Sequence, residues 1–170
     1  HGLFDTARGV RNALISDSTT GQIQVGASAG VTNFGATGFT TVNNGSGGSG
    51  WNNTDIPYVS WTFRKQPKFF DVVTYTGNGT QGRQIAHNLG APPGCIFVKR
   101  TSTTSNWAVY HDCIGPSQYL NLNTTAAAAS SSAYWDDASP TATVFTVGNS
   151  ADVNANGATY VAYLFAHDAG

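Results

Sequence analysis

Four histidines, two cysteines and nine aspartates carry most of the reactive chemistry in this chain, which has no Glu and no Met. His1, His87, His111 and His167 lack the spacing that holds zinc. His111 and His167 each precede an Asp, which reads as local bonding at strand ends. Cys95 and Cys113 each border an apolar run and read as buried free thiols; a disulfide would need their strands to come close. "GASAG", Gly26 to Gly30, fits a nucleophile elbow around Ser28. That pattern works only between a strand and a helix, and the following "VTNFGATGF" has no helical period. "DVNANG", Asp152 to Gly157, copies half a calcium loop but lacks the bidentate carboxylate further on. It reads as a turn between strands, with Asn-Gly supplying positive φ. Asp136 and Asp137 are adjacent, whereas sugar hydrolysis needs two carboxyl groups facing each other across a substrate. They read as a solvated turn. No catalytic residue, metal site or cofactor is assigned, and the chain reads as a non-enzyme.

Binding chemistry is more visible than catalysis. Trp51 follows a Gly-rich loop, "NNGSGGSG", and Tyr134-Trp135 lie between Ser and Asp. Aromatic faces in loops can stack on sugar rings while Asn and Thr bond the hydroxyls, so these three are the candidate glycan-binding residues. Trp61 and Trp107 sit in apolar strand patterns and read as core. Asn44, Asn52, Asn78 and Asn123 head Asn-x-Ser/Thr sequons, which matter only in a eukaryotic secretory route.

The elements that must position these residues are strands. Charged residues make up 10% of the chain, well below the usual quarter, while Thr, Val and aromatics that suit pleated strands are common. With net charge −1 and no basic face, nothing invites nucleic acid or an anionic membrane. No apolar stretch approaches transmembrane length, so membrane insertion is not expected.

The chain also repeats itself. "DTARGVRNALISDSTT" (Asp5 to Thr20) runs against "HDCIGPSQYLNLNTT" (His111 to Thr125), with Gly9 on Gly115 and Leu14 on Leu120. Phe39 meets Phe145, and "YVSWTF" (Tyr58 to Phe63) meets "YVAYLF" (Tyr160 to Phe165). Residues 67–170 hold a complete unit, and residues 1–66 hold only the later part of another. The first copy has no counterpart to "FFDVVTYTGNG" or "PGCIFVKR", so the chain reads as starting partway through a unit. The absence of Met likewise reads as processing or excerpting.

Strands are predicted over Phe70–Tyr75, Cys95–Arg100, Trp107–Tyr110, Tyr119–Leu122, Thr143–Val147 and Thr159–Ala166, bounded by Gly, Asn or Pro turns. In the last, Val161, Tyr163 and Phe165 share one face and Tyr160, Ala162 and Leu164 the other. Both faces are apolar, which predicts a strand covered on both sides. Tyr58–Phe63 is expected to form the equivalent strand of the first copy. "TTAAAASSSA" fits one helical turn or a loop. The fold class is all-β, a sandwich or jelly roll.

"IAHNLGAPPGCIFVKR", "NWAVYHD", "YLNLNTTAA" and "FTVGNSADVNANGATYVAYLFA" give the full unit a family resemblance. It resembles a module that recurs in virion structural and tail-fibre-like proteins of tailed bacteriophages, especially marine and cyanobacterial ones. The resemblance covers residues 70–167, is looser over the first copy, and departs at Cys95, where a larger apolar residue is expected. It implies a lectin-like β-sandwich and a virion location, and carries over no catalytic or ligand residue. The expected function is a non-enzymatic tail fibre or other host-contacting appendage, with host surface polysaccharide as a possible ligand. A capsid decoration is the alternative, and a polysaccharide-cleaving appendage is disfavoured. Partners implied are further copies of the chain, commonly as a homotrimer, and other virion proteins. The partial first unit lacks two strands, so its edge is expected to meet upstream sequence, the full module or a neighbouring chain.

Overall fold

The computed structural model describes residues 2–27, 29–42 and 51–167; Ser28 and the Gly-rich loop lie outside the described residues. The first copy supplies five short strands: β1 (Gly2–Leu3), β2 (Asn12–Ile15), β3 (Ile23–Gln24), β4 (Gly30–Phe34) and β5 (Phe39–Val42). The full unit begins with β6 (Phe70–Thr76), β7 (Arg83–Ala86), β8 (Pro93–Arg100), β9 (Trp107–His111), β10 (Gln118–Asn121) and β11 (Ala129–Ser130). It ends with α1 (Ser132–Trp135), β12 (Val144–Val147), α2 (Ala151–Asn154) and β13 (Thr159–Ala166). Each of the six strands expected in this unit is present, to within a few residues at its ends. β7 was not anticipated, because Ile85 is the one buried residue in an otherwise polar run.

The fold is an all-β sandwich. Its central layer is a six-stranded antiparallel sheet in the order β11-β10-β9-β8-β13-β6. β13 pairs with β8 on one side and β6 on the other, and it divides its side chains as the alternation predicted. Tyr160, Ala162 and Leu164 enter the larger core. Above them lie the β7–β12 ribbon and the two one-turn helices, through Ile85, Phe145, Val147, Trp135 and Val153. Val161, Tyr163 and Phe165 point to the opposite core with Phe70, Val72 and Trp107. That second face is covered by the first copy, whose Leu14 is fully buried there and whose Leu3 packs alongside.

Polar contacts fix this covering layer in place. The Trp107 indole N–H donates to Ile15 O (2.9 Å), and Lys99 Nζ donates to Thr19 O (2.8 Å) and Ser105 O (2.5 Å). Lys99 is fully buried, with its ammonium 5.9 Å from the centre of the Trp107 ring. Burial pushes its pKa down to about 8, against a smaller upward pull from Asp152. At the other end of the layer, Asp5 accepts from the Tyr163 hydroxyl (2.7 Å) and from Arg8 Nε (2.6 Å). Arg8 also donates to that hydroxyl (3.1 Å).

The two aligned stretches pair in the same register. In the first copy Gly2 pairs with Ile15 and Leu3 with Leu14 across β1 and β2. In the second, Ala108 pairs with Asn121 and Val109 with Leu120 across β9 and β10. β2 pairs with β3 through Asn12–Gln24, as β10 pairs with β11 through Gln118–Ser130. The turns between them each place a glycine at positive φ, Gly9 at 85° and Gly115 at 74°. Each glycine N–H closes onto the carbonyl four residues back, that of Asp5 or His111.

The match ends further along. β12 pairs with β7, whereas its counterpart β5 pairs with β4. The expectation for Tyr58–Phe63 is overturned: residues 56–65 form no strand. β13 is held by β6 and β8, whereas no strand among the described residues pairs with 56–65. Trp61 is accordingly 84% exposed rather than core, and Val59 is 83% exposed. Phe63 docks edge-on to Phe165 at 5.4 Å.

Candidate functional site

Two of the three candidate glycan aromatics lie inside the fold. Tyr134 and Trp135 lie on α1, not in a loop, and both are buried. Ser131 caps the helix by accepting from the Ala133 N–H, and Asp136 ends it in the left-handed region (φ 54°). That single turn drives the two rings into the larger core. Tyr134 stacks on Tyr119 (3.6 Å between centroids), and Trp135 meets Tyr110 edge-on. The Tyr134 hydroxyl donates to Asp152 (2.9 Å). Neither ring is open to a sugar, which corrects the expectation for both. Trp51 is half-buried and folds back on the N-terminal strand, edge-on to Phe4 at 4.9 Å. Its indole sits so closely over Gly2 that any side chain at Gly2 would collide with it.

The other motifs are used by the fold. Asp152 accepts from Ser105 and Tyr134. Asn154, also in the calcium-like stretch, is fully buried and donates to Thr80 O (2.8 Å) and Gly148 O (2.9 Å). Gly157 adopts the expected positive φ, 72°. Asp136 accepts from Gln81 (2.7 Å), and Asp137 is exposed, as a turn pair should be. A shallow groove between the first copy and the full unit is lined by Arg8, Gln22, Thr74, Thr101 and Thr159, with no carboxylate among its lining residues.

Two features remain. One is the extended segment 56–63, where Ile56, Val59, Trp61 and Phe63 are all exposed. Contiguous exposed apolar surface of this kind marks interaction sites in soluble proteins.

The other is a donor cluster where β8 begins and β9 and β13 end. A ring nitrogen of His111, a carboxylate oxygen of Asp112 and Cys113 Sγ lie within 4.8 Å of one another. His111 Nδ1 is 3.0 Å from Asp112 Oδ1, and His167 Nδ1 is 2.7 Å from Asp112 Oδ2. Backbone bonds position both partners: the Asp112 N–H donates to Gly94 O (2.9 Å) and the His167 N–H to Pro92 O (3.3 Å). Cys113 is exposed, against the expectation of a buried thiol, and both cysteines are free. Cys95, half-buried opposite His111, has its thiol pushed up to about 11 by burial and by the Asp112 charge. Ligand spacing along the sequence missed His167 because it comes from a strand end far along the chain, whereas His111, Asp112 and Cys113 stand side by side. The available signal was strand pairing: β8 lies between β9 and β13, so their ends converge.

No helix among the described residues is long and apolar enough to cross a membrane. Comparison with curated proteins and with solved structures finds no match. Residues 1–170 match the family described as Domain of unknown function (DUF7483), and the chain belongs to that family.

Proposed function

We propose that this chain is a non-enzymatic structural module of a tailed-bacteriophage virion, part of a tail fibre or other host-contacting appendage. In this reading it assembles as a homotrimer, with residues 59–63 buried between copies. The observation that carries the proposal is the exposure of Val59 and Trp61 in a segment whose counterpart, Val161 to Phe165, is a strand inside the sheet. A strand pattern without neighbours templates pairing with another chain. Covering its apolar side chains would contribute roughly 25 cal/mol for each Å² removed from water. The phage assignment is supported by the resemblance of residues 70–167, and the non-enzymatic assignment by the structural use of Asp152, Asn154 and Asp136. Tyr134 and Trp135 are not proposed as polysaccharide contacts.

Light scattering on the 170-residue chain over a range of concentrations tests the assembly. The expected mass is that of three chains, and the double substitution Val59→Asp, Trp61→Asp should reduce it to one. A folded wild-type monomer at every concentration would overturn the assembly reading. Immunolabelled virions that carry no label on tail or appendage would overturn the location.

A further inference from the structure

We propose that His111, Asp112, Cys113 and His167 form a binding site for one divalent transition-metal ion of the zinc class. Two imidazoles, a carboxylate and a thiol make a mixed nitrogen, oxygen and sulfur donor set. That set suits zinc, cobalt or nickel and disfavours calcium and magnesium, which take oxygen ligands. Tetrahedral zinc, with bonds of about 2.0–2.3 Å, puts its donors roughly 3.3–3.8 Å apart. Three of the four donors already lie within 4.8 Å of one another, and the fourth touches Asp112 at 2.7 Å. Small side-chain rotations suffice to close the set, and these side chains are exposed or half-buried and free to make them.

The hydrogen bonding leaves His111 two choices. Its Nδ1 accepts from the Cys113 N–H (3.2 Å) and lies 3.0 Å from Asp112 Oδ1. That nitrogen has one in-plane lone pair, so ligating an ion beside Asp112 would replace its bond to the Cys113 N–H. On metal binding the Cys113 thiol proton and any imidazolium proton leave to solvent, and Asp112 becomes a ligand to the ion.

The site stands on rigid elements. Asp112 and His167 are both tied to the start of β8, and Gly94 permits this approach. A Cβ there would come within 2.9 Å of the His167 Cα. A bound ion would staple the end of β9 to the end of β13. The equivalent turn of the first copy carries Asp5, Thr6 and Ala7, so it has one of the three donors.

The test uses the full chain, freed of metal by chelation and titrated with Zn²⁺ by calorimetry and with Co²⁺ by absorption. The expected result is one ion per chain, with a thiolate-to-cobalt charge-transfer band that Cys113→Ser abolishes and Cys95→Ser leaves intact. His167→Ala and Asp112→Asn should each weaken Zn²⁺ binding by at least about 10-fold, the lower bound for losing even an outer-shell partner. Zn²⁺ should also slow alkylation of Cys113 by iodoacetamide, a readout independent of any substitution. Absence of saturable binding, a charge-transfer band that survives Cys113→Ser, His167→Ala binding as tight as wild type, or unchanged alkylation would each overturn the proposal.

Discussion

The β1–β2–β3 unit and the β9–β10–β11 unit are one local structure used twice. They share register, turn glycine and the backbone closure of that turn. Their surroundings differ. β9 has β8 beside it and so extends the six-stranded sheet, whereas β1 pairs with β2 alone among the described residues and its unit covers one face of the sheet. The equivalent turn residues follow suit. Asp5 is buried with Arg8 against Tyr163, while His111 and Asp112 reach solvent beside His167. Local sequence sets the turn and the register, and the neighbouring strands decide which residues are left to act. The same difference explains why one copy of the aromatic strand pattern is the inner strand β13 and the other is exposed.

The largest effect should separate those two patterns. Phe165 packs on Phe70 and Phe97, and Phe165→Ala should cost about 3 kcal/mol, the low end for Phe truncation because the ring is only partly buried. Trp61→Ala, measured on dilute single copies by urea unfolding, should stay within about 0.5 kcal/mol of wild type. Equal costs would break the comparison. The turns should behave alike instead. Nothing lies within 4 Å of a Cβ built at Gly115, and at Gly9 the nearest atom is Asn12 Nδ2 at 3.8 Å. Gly9→Ala and Gly115→Ala therefore carry only the backbone cost of positive φ, about 1–2 kcal/mol each. A difference above about 1 kcal/mol between them would show that the two turns are not equivalent.

The smallest effect concerns the seam between the copies. Lys99 has a folded pKa of about 8 against an ordinary 10.5. Between those values the unfolded chain holds more protons than the folded one, so this residue makes stability rise with pH through that window. Below about pH 8 its penalty is fully present. The buried tyrosines, Tyr163 among them, have pKa values raised by burial and pull stability the other way above about pH 10. Comparing wild type with Lys99→Met by thermal unfolding cancels their contribution. The wild type should gain on the variant from pH 8 to 10, and parallel curves would contradict a buried, charged Lys99.

Most of the full unit was legible because each strand brings its alternation, its bounding turns and its partners within the same hundred residues. β13 was readable to the level of which residue faces which core. Tyr58–Phe63 was misread because alternation describes the faces of a strand and is silent on whether neighbours exist. Trp135 was misread because polar flanks suggested a loop, while a single capped turn at Ser131 buries it. His111, Asp112 and Cys113 stand side by side in the sequence, but His167 was invisible to spacing because it arrives through strand pairing.

The central claim is that residues 59–63 form no strand in a single copy and gain one when a neighbouring copy pairs with them. Hydrogen exchange of the backbone amides, followed as protein concentration rises, tests it most directly. The amides of Val161 to Phe165 should be protected at every concentration. Those of Val59 to Phe63 should exchange quickly in dilute solution and become protected as the oligomer forms. Fast exchange at 59–63 within a fully assembled oligomer, or protection in the dilute monomer, would contradict the account.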